Sequence, residues 1–342
     1  MSPLSEQTAF QVGEPSEIAA VRRAGTQLAT NLGFNETSAG RVAIVITEAA
    51  TNILKHAGHG EILLRPVYSG SMAGVEILAL DSGPGMSSIA LSMQDGMSSA
   101  GSYGVGMGAM QRMANGFDLY SAPGLGCAIW LTLSADPSFN DAAPWQIGAV
   151  SLPLPGETAC GDAWAAVETA NGLTLMVADG LGHGPLAAQA SRGATEVILR
   201  NPELAPARAI EEAHAALRST RGAAVAVASI DRYAGKVDFT GIGNIAGNTE
   251  SSAGRHHLVS HNGIVGSNMR KVQQFTLPWT DDAMLLMHSD GLATRWNLDQ
   301  YPGLAARHPA LIASVLYRDF ARQRDDVTIV VVREHMNESA GD

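Results

Sequence analysis

The chain has 342 residues, 33 acidic against 22 basic side chains for a formal charge of −11, and two cysteines. At roughly 100 to 200 residues per domain, that length predicts two domains, each able to bury its own core. The acidic balance, with no Lys/Arg cluster, argues against a nucleic-acid partner. Cys127 and Cys160 are too few for a disulfide framework or a structural zinc site and read as small apolar core residues. The first 25 residues lack a basic start followed by an apolar stretch, and no apolar run approaches the roughly 18 residues of a membrane span. A soluble, cytoplasmic protein with no membrane partner is expected.

In chain order, Val42, Val45, Ile46, Ala49 and Ile53 recur at helical spacing and predict a helix over 38–55. Strands are expected at 61–67 and 75–80, a short helix at 107–115 and a closing strand at 128–133. Two prolines and small polar residues break the pattern at 134–145. Beyond the break, strand-like runs at 147–152, 163–168, 173–178, 223–230, 236–240, 283–287 and 327–332 surround helical stretches at 185–200 and 206–219. The expected domains are therefore 1–134, an α/β two-layer unit, and 146–342, an α+β sandwich flanked by helices, joined by a linker at 135–145.

Three features of the first half bear on chemistry. Glu48 and Asn52 are four residues apart, so a carboxylate and an amide project from one helix face. Asp81 ends an apolar strand and opens Ser82-Gly83-Pro84-Gly85, a turn that lets backbone approach a flat ligand while the carboxylate accepts from an exocyclic amine. The run from Gly101 to Gly108, with Gly104, Gly106 and Gly108 alternating, leads into a helix whose start can cradle phosphates.

These three elements, in this order, resemble the Bergerat-fold ATPases, and among them the RsbT-like anti-sigma serine kinases. The resemblance covers roughly residues 41–133. It implies ATP bound with Mg²⁺, Asn52 holding the metal on the phosphates, Asp81 binding adenine beside Gly83 and Gly85, and Gly104, Gly106 and Gly108 lining a lid. Glu48 is then the general base on the acceptor hydroxyl. One departure stands out: where the family has Gly-Thr before the last strand, this chain has Gly126-Cys127.

The second half carries carboxylates beside apolar strands: Asp162, Asp179-Gly180, Asp290-Gly291 and Asp325-Asp326. Carboxylates and carbonyls are hard oxygen ligands suited to Mg²⁺ or Mn²⁺. The segments Gly161-Asp162, Ala178 to Gly184, His288 to Leu292 and Arg324 to Thr328 resemble the metal-dependent type 2C serine/threonine phosphatases, in the SpoIIE/RsbX subgroup. That resemblance implies two Mn²⁺ or Mg²⁺ ions, with Asp179 between them, the Gly180 carbonyl on one, Asp290 and Asp325 on the other, and Asp162 on a metal or its waters. Asp326 ranks below Asp325. His183 is either an acid for the leaving oxygen or part of a helix start, Arg221 either a phosphate fork or an exposed arginine, and 241–244 reads as a tight turn.

Together the two resemblances imply a partner-switching regulator that acts on phosphoserine or phosphothreonine of a STAS-domain antagonist. Its ATP-binding domain either phosphorylates a STAS protein or serves as a nucleotide-dependent docking module.

Overall fold

The computed structural model describes residues 6–89, 93, 106–139, 143–269 and 271–335. The chain opens with β1 (Thr8–Val12) and α1 (Pro15–Asn31). Pro15 sits in the first turn of α1, and the Glu17 carboxylate accepts from the Gly13 and Glu14 N–H groups at 2.6 and 2.9 Å. Next comes α2 (Glu36–His56), where Asn35 Oδ1 accepts from the Ser38 N–H at 2.9 Å. Then follow β2 (Gly60–Ser69), β3 (Met72–Asp81), α3 (Met107–Met113), β4 (Gly116–Ser121) and β5 (Cys127–Ser134). The strands pair antiparallel in the order β1-β2-β3-β5-β4.

Alternation along these strands gives the sheet two faces. One, with Ile62, Leu64, Val75, Ile77, Ala79, Ile129, Leu131 and Leu133, shares a core with Val21 and Ala29 of α1 and Val42, Val45, Ile46, Ala49 and Ile53 of α2. Gly25 permits the close approach of the helices, since a Cβ there would lie 2.1 Å from Ile46 Cδ1. The other face, with Leu63, Arg65, Glu76, Leu78, Leu80 and Trp130, is buried as well. Arg65 and Glu76 form an ion pair there, and Trp130 Nε1 donates to Glu76 Oε1 at 3.0 Å.

The second half contains β6 (Trp145–Leu152), β7 (Asp162–Glu168), β8 (Gly172–Gly180), α4 (Pro185–Arg200), α5 (Pro206–Ala216), β9 (Ala223–Asp231), β10 (Lys236–Ile242), β11 (Ala246–Ser251) and β12 (Gly254–Leu258). It continues with β13 (Phe275–Pro278), β14 (Met284–His288), α6 (Pro309–Phe320) and β15 (Val327–Glu334). Two five-stranded antiparallel sheets result, β13-β10-β9-β8-β7 and β12-β11-β14-β15-β6. Trp164, Leu175, Val177, Ala228 and Phe239 of one pack with Trp145, Leu285, Met287, Val330 and Val332 of the other. On the far side of the first sheet, Met176, Val225 and Val227 pack with Ala194, Ile198, Ala209 and Ile210 of α4 and α5. The expected α/β layer and helix-flanked sandwich are both present.

Two compact units divide the described residues: one lies within Ser5–Ala143 and Asn297–Asp319, the other within Pro144–Trp296 and Phe320–Asp342. Most of the connection between β14 and β15 therefore belongs by packing to the α/β unit. It brings the short turns Leu298–Gln300 and Leu304–Ala306 and nearly all of α6. Within that unit Trp130 stacks on His308 with ring centroids 3.6 Å apart, and Asp118 accepts from the His308 N–H at 2.7 Å.

Candidate functional site

In the α/β unit, Asp81 falls in the same alternation as Ile77 and Ala79, so its side chain faces the helix layer. Its strand neighbours are Gly60 and Cys127. The turn that follows abuts the end of α2: a Cβ on Gly83 would lie 2.7 Å from Ala57 Cβ. Glu48 and Asn52, both half-buried, lie on the preceding turns of that helix. Gly85 has φ 70° and passes so close to the Ala122 carbonyl that a Cβ would sit 2.0 Å from its oxygen, which only glycine tolerates. Ser121 Oγ accepts from the Met86 N–H at 2.9 Å and donates to the Gly126 carbonyl at 2.7 Å, tying this turn to β4 and β5.

Burial raises the Asp81 pKa above the ordinary carboxylate value. The Gly83 N–H at 2.9 Å, the Arg318 charge and the Cys127 N–H offset part of that rise. Cys127 is buried beside Asp81, and its thiol is pushed above the ordinary range, first by burial and then by the Asp81 charge. Gly106 caps the start of α3 and Gly108 is buried within it, whereas Gly104 lies outside the described residues. A carboxylate at a strand end, a tight glycine turn, and an amide and second carboxylate on the adjoining helix fit a purine nucleotide with its metal.

In the sandwich unit, Asp162 opens β7 and stands directly opposite Asp179 near the end of β8. Two carboxylates in such a position repel each other unless a cation or proton lies between them. Asp162 is buried, its Oδ2 accepts from Ser289 Oγ at 2.6 Å, and its Oδ1 has no partner. Burial and the Asp179 charge raise its pKa well above the ordinary value. Burial, then the charges of Asp290 and Asp325, push the Asp179 pKa up to about 7, against a hydrogen bond from Asn244. Asp290 lies two residues past β14, where Asn244 Nδ2 donates to its Oδ2 at 2.7 Å, and Asp325 lies two residues before β15. Gly180 packs against α4, where a Cβ would meet the Ala187 carbonyl oxygen at 2.0 Å.

Among the described residues, no three His, Cys, Asp or Glu side chains form a closed cage for an ion. The oxygen-only donor set, mutually repelling and with an orphaned buried oxygen, fits hard divalent cations that keep part of their water shell. Asp326 Oδ1 accepts from the Leu154 N–H at 2.9 Å and so pins the loop between β6 and β7, while its Oδ2 is buried without a partner beside Gly161 and its charge adds to the rise at Asp162 and Asp179. His183 Nδ1 lies 2.6 Å from Glu157 Oε1, and Arg221 is exposed, 3.1 Å from where a Gly182 Cβ would stand. A cleft of about 540 Å³ between α4 and the end of α5, lined by Ala159, Pro185, Gln189, Arg192 and Thr220 among others, adjoins the start of α4.

Sequence reasoning passed over three residues. Asn244 was only a turn residue, yet it bonds to both Asp179 and Asp290. Ser289 joins three strands: its N–H donates to the Thr328 carbonyl at 2.9 Å, its Oγ accepts from the Thr328 N–H at 3.0 Å and donates to Asp162. Its place beside Asp290 was a usable signal. Arg318, whose Nη1 donates to the Asp81 carbonyl at 2.8 Å, gave none, because 237 residues separate the two.

The profile of Stage II sporulation protein E (SpoIIE) matches residues 169–335, and that of the histidine kinase-like ATPase domain matches residues 12–133. The serine/threonine-protein kinase RsbT of Bacillus subtilis (strain 168) is 33% identical over 126 residues, covering 37% of this chain and 95% of RsbT. The phosphoserine phosphatase RsbX of the same organism is 24% identical over 142 residues, covering 41% of this chain and 71% of RsbX. A solved chain from work describing the bacterial stressosome as a modular system adapted to control secondary messenger signaling superposes with TM-score 0.52 and 28% identity. That match covers 55% of this chain and 99% of the solved one. With Asp81 and its glycine turn in one unit and the opposed aspartates in the other, the chain belongs to the RsbT family of histidine kinase-like ATPases and carries, behind that domain, a SpoIIE-type serine/threonine phosphatase domain.

Proposed function

We propose that this protein is a partner-switching regulator whose phosphatase domain dephosphorylates serine or threonine on a STAS-domain antagonist and whose ATP-binding domain phosphorylates a STAS protein. By sequence the modules are residues 1–134 for ATP binding, 135–145 as linker and 146–342 for the phosphatase, with 297–319 of the last packing with the ATP-binding unit. The observation that carries the reading is the pairing of Asp162 with Asp179 across two strands, with Asp162 Oδ1 buried and unpartnered and Asp290 drawn in through Asn244. In this reading Asp179, the Gly180 carbonyl, Asp290 and Asp325 would hold two Mn²⁺ or Mg²⁺ ions, and Asp162 would hold a metal or its waters. When bound, such cations supply the positive charge that activates water and neutralises phosphoryl oxygens. Asn244 orients Asp179 and Asp290, and Ser289 fixes the buried Asp162. The cleft beside α4 receives the peptide around the phosphorylated residue. Stressosome-type STAS phosphoproteins as partners are supported by the likeness to RsbT, RsbX and the stressosome chain.

In the α/β unit, Asp81 accepts from the adenine amine, Gly83 and Gly85 let the turn lie against the ring, Asn52 holds Mg²⁺ and Glu48 takes the proton of the acceptor hydroxyl. Gly104, Gly106 and Gly108 line the lid. A second reading, a nucleotide-dependent docking module without phosphotransfer, is favoured by Cys127. It offers the nucleotide no hydroxyl, although its N–H reaches Asp81.

The test uses purified protein with Mn²⁺ and a phosphorylated STAS protein. Hydrolysis that is lost in Asp179→Asn supports the phosphatase reading, and no hydrolysis by wild type sinks it. In the Asp179→Asn background, which cannot erase the product, label transfer from ATP to a STAS protein identifies a kinase. ATP bound without transfer identifies the docking module.

A further inference from the structure

The ATP-binding unit is not made from the first half of the sequence alone. Residues Asn297–Asp319, which lie in sequence between the phosphatase candidates Asp290 and Asp325, pack as part of it. One of their polar contacts is at the end of β3. Arg318 Nη1 donates to the Asp81 carbonyl at 2.8 Å, and the Arg318 side chain is 8% exposed. The guanidinium is held in a fixed pose: Nε and Nη2 donate to Asp319 Oδ1 and Oδ2 at 2.7 and 2.8 Å, and Tyr301 Oη donates to Asp319 Oδ2 at 2.7 Å. A bidentate fork of this kind fixes the orientation of the guanidinium plane.

The other end of the segment is equally fixed. Two residues after Arg318, the Phe320 carbonyl accepts from the Ala293 N–H at 2.9 Å, and the Arg322 N–H donates to the Gly291 carbonyl at 2.8 Å. Leu292 and Ala321 form an isolated bridge between these bonds. The stem thus clamps the residue after Asp290 to the stretch that leads into Asp325. A shift of Arg318 has only one residue of slack before it reaches this stem.

We propose that Arg318 is a positioning residue for nucleotide at Asp81, and that the 291–293 and 320–322 stem passes nucleotide occupancy to Asp290 and Asp325, making an adenine nucleotide an allosteric ligand of the phosphatase. The inference rests on the reading of both sites given above and adds their coupling. Binding at Asp81 reorders the strand end whose carbonyl Arg318 holds, and a ligand that favours one arrangement of that end favours one arrangement of the stem.

The experiment measures ADP affinity by calorimetry and hydrolysis of a phosphoserine peptide, at fixed free Mn²⁺, with and without saturating ADP. ADP has no γ-phosphate, so phosphotransfer cannot intervene. Wild type is expected to change its kcat or KM at least about fivefold on binding ADP, within the usual range of allosteric coupling. Arg318→Ala is expected to bind ADP about tenfold more weakly and, even when saturated, to hydrolyse at one rate with or without it. Arg318→Lys, which keeps the charge but not the fork, recovers affinity in part. Wild type that binds ADP and hydrolyses peptide at an unchanged rate overturns the coupling, as does Arg318→Ala with wild-type affinity and response. Wild type that binds no ADP, or hydrolyses no peptide, instead overturns the site reading and takes the inference with it.

Discussion

Asn244 shows how little of a metal-type centre is its ligands. Its side chain is exposed at a turn, so truncation leaves the core intact, but it orients two of the carboxylates. Asn244→Ala is expected to keep its melting temperature and lose about 10- to 100-fold in Mn²⁺ affinity, the usual effect of removing an outer hydrogen-bond partner. Metal titration of the hydrolysis rate reads this directly. The thiols make a second residue-scale expectation. Burial raises both Cys127 and Cys160 above the ordinary thiol range, and each is free. The native protein should therefore react slowly with a disulfide reagent at pH 8 and quickly once denatured, because the thiolate is the nucleophile. The aspartates were legible in sequence because each sits beside an apolar strand. Asn244 and Arg318 were not, because their importance lies in contacts made across 46 and 237 residues.

At the scale of elements, the helices α2, α4 and α5 and the strands β2, β3, β5, β8, β9, β10, β14 and β15 were read closely from the sequence, whereas the edge strands β1, β4, β12 and β13 were not expected. The missed helices have a common cause. The buried stripe of α1 is Val21, Gly25 and Ala29, too small to stand out, and α6 is buried from Pro309 to Leu316 without a polar face to set a period. A buried carboxylate shows what α6 does. Burial raises the Glu61 pKa above its ordinary value of 4.5, partly offset by the Tyr317 hydroxyl, and Gln11 Nε2 donates to Glu61 Oε1 at 2.8 Å. Because the folded pKa is the higher one, this group's stabilising contribution is present below about pH 4.5 and is lost as pH rises through the folded value. Glu61→Gln keeps the acceptor and removes the titration. Urea unfolding should find the variant more stable than wild type at pH 7 and no more stable at pH 4.

At the scale of the molecule, the division into units does not follow the division of the sequence. Both faces of the first sheet are buried, and residues 297–319 supply His308 against Trp130 and Tyr317 against Glu61. A fragment of residues 1–143 would leave the rings of Tyr120 and Trp130 without Tyr301 and His308. Such an apolar patch promotes association. The fragment is expected to bind a hydrophobic dye and to melt lower than the same fragment mixed with a 297–319 peptide. Equal melting temperatures would show that the segment adds nothing to the unit. No helix among the described residues is long and apolar enough to cross a membrane.

The late position of this segment also sets an order of events on the ribosome. Trp130 emerges roughly 180 residues before His308 and Tyr317, a delay of about 9 to 37 s at ~5–20 residues per second. Through that interval the nascent first sheet waits with one side bare, and its completion depends on residues 297–319 being translated.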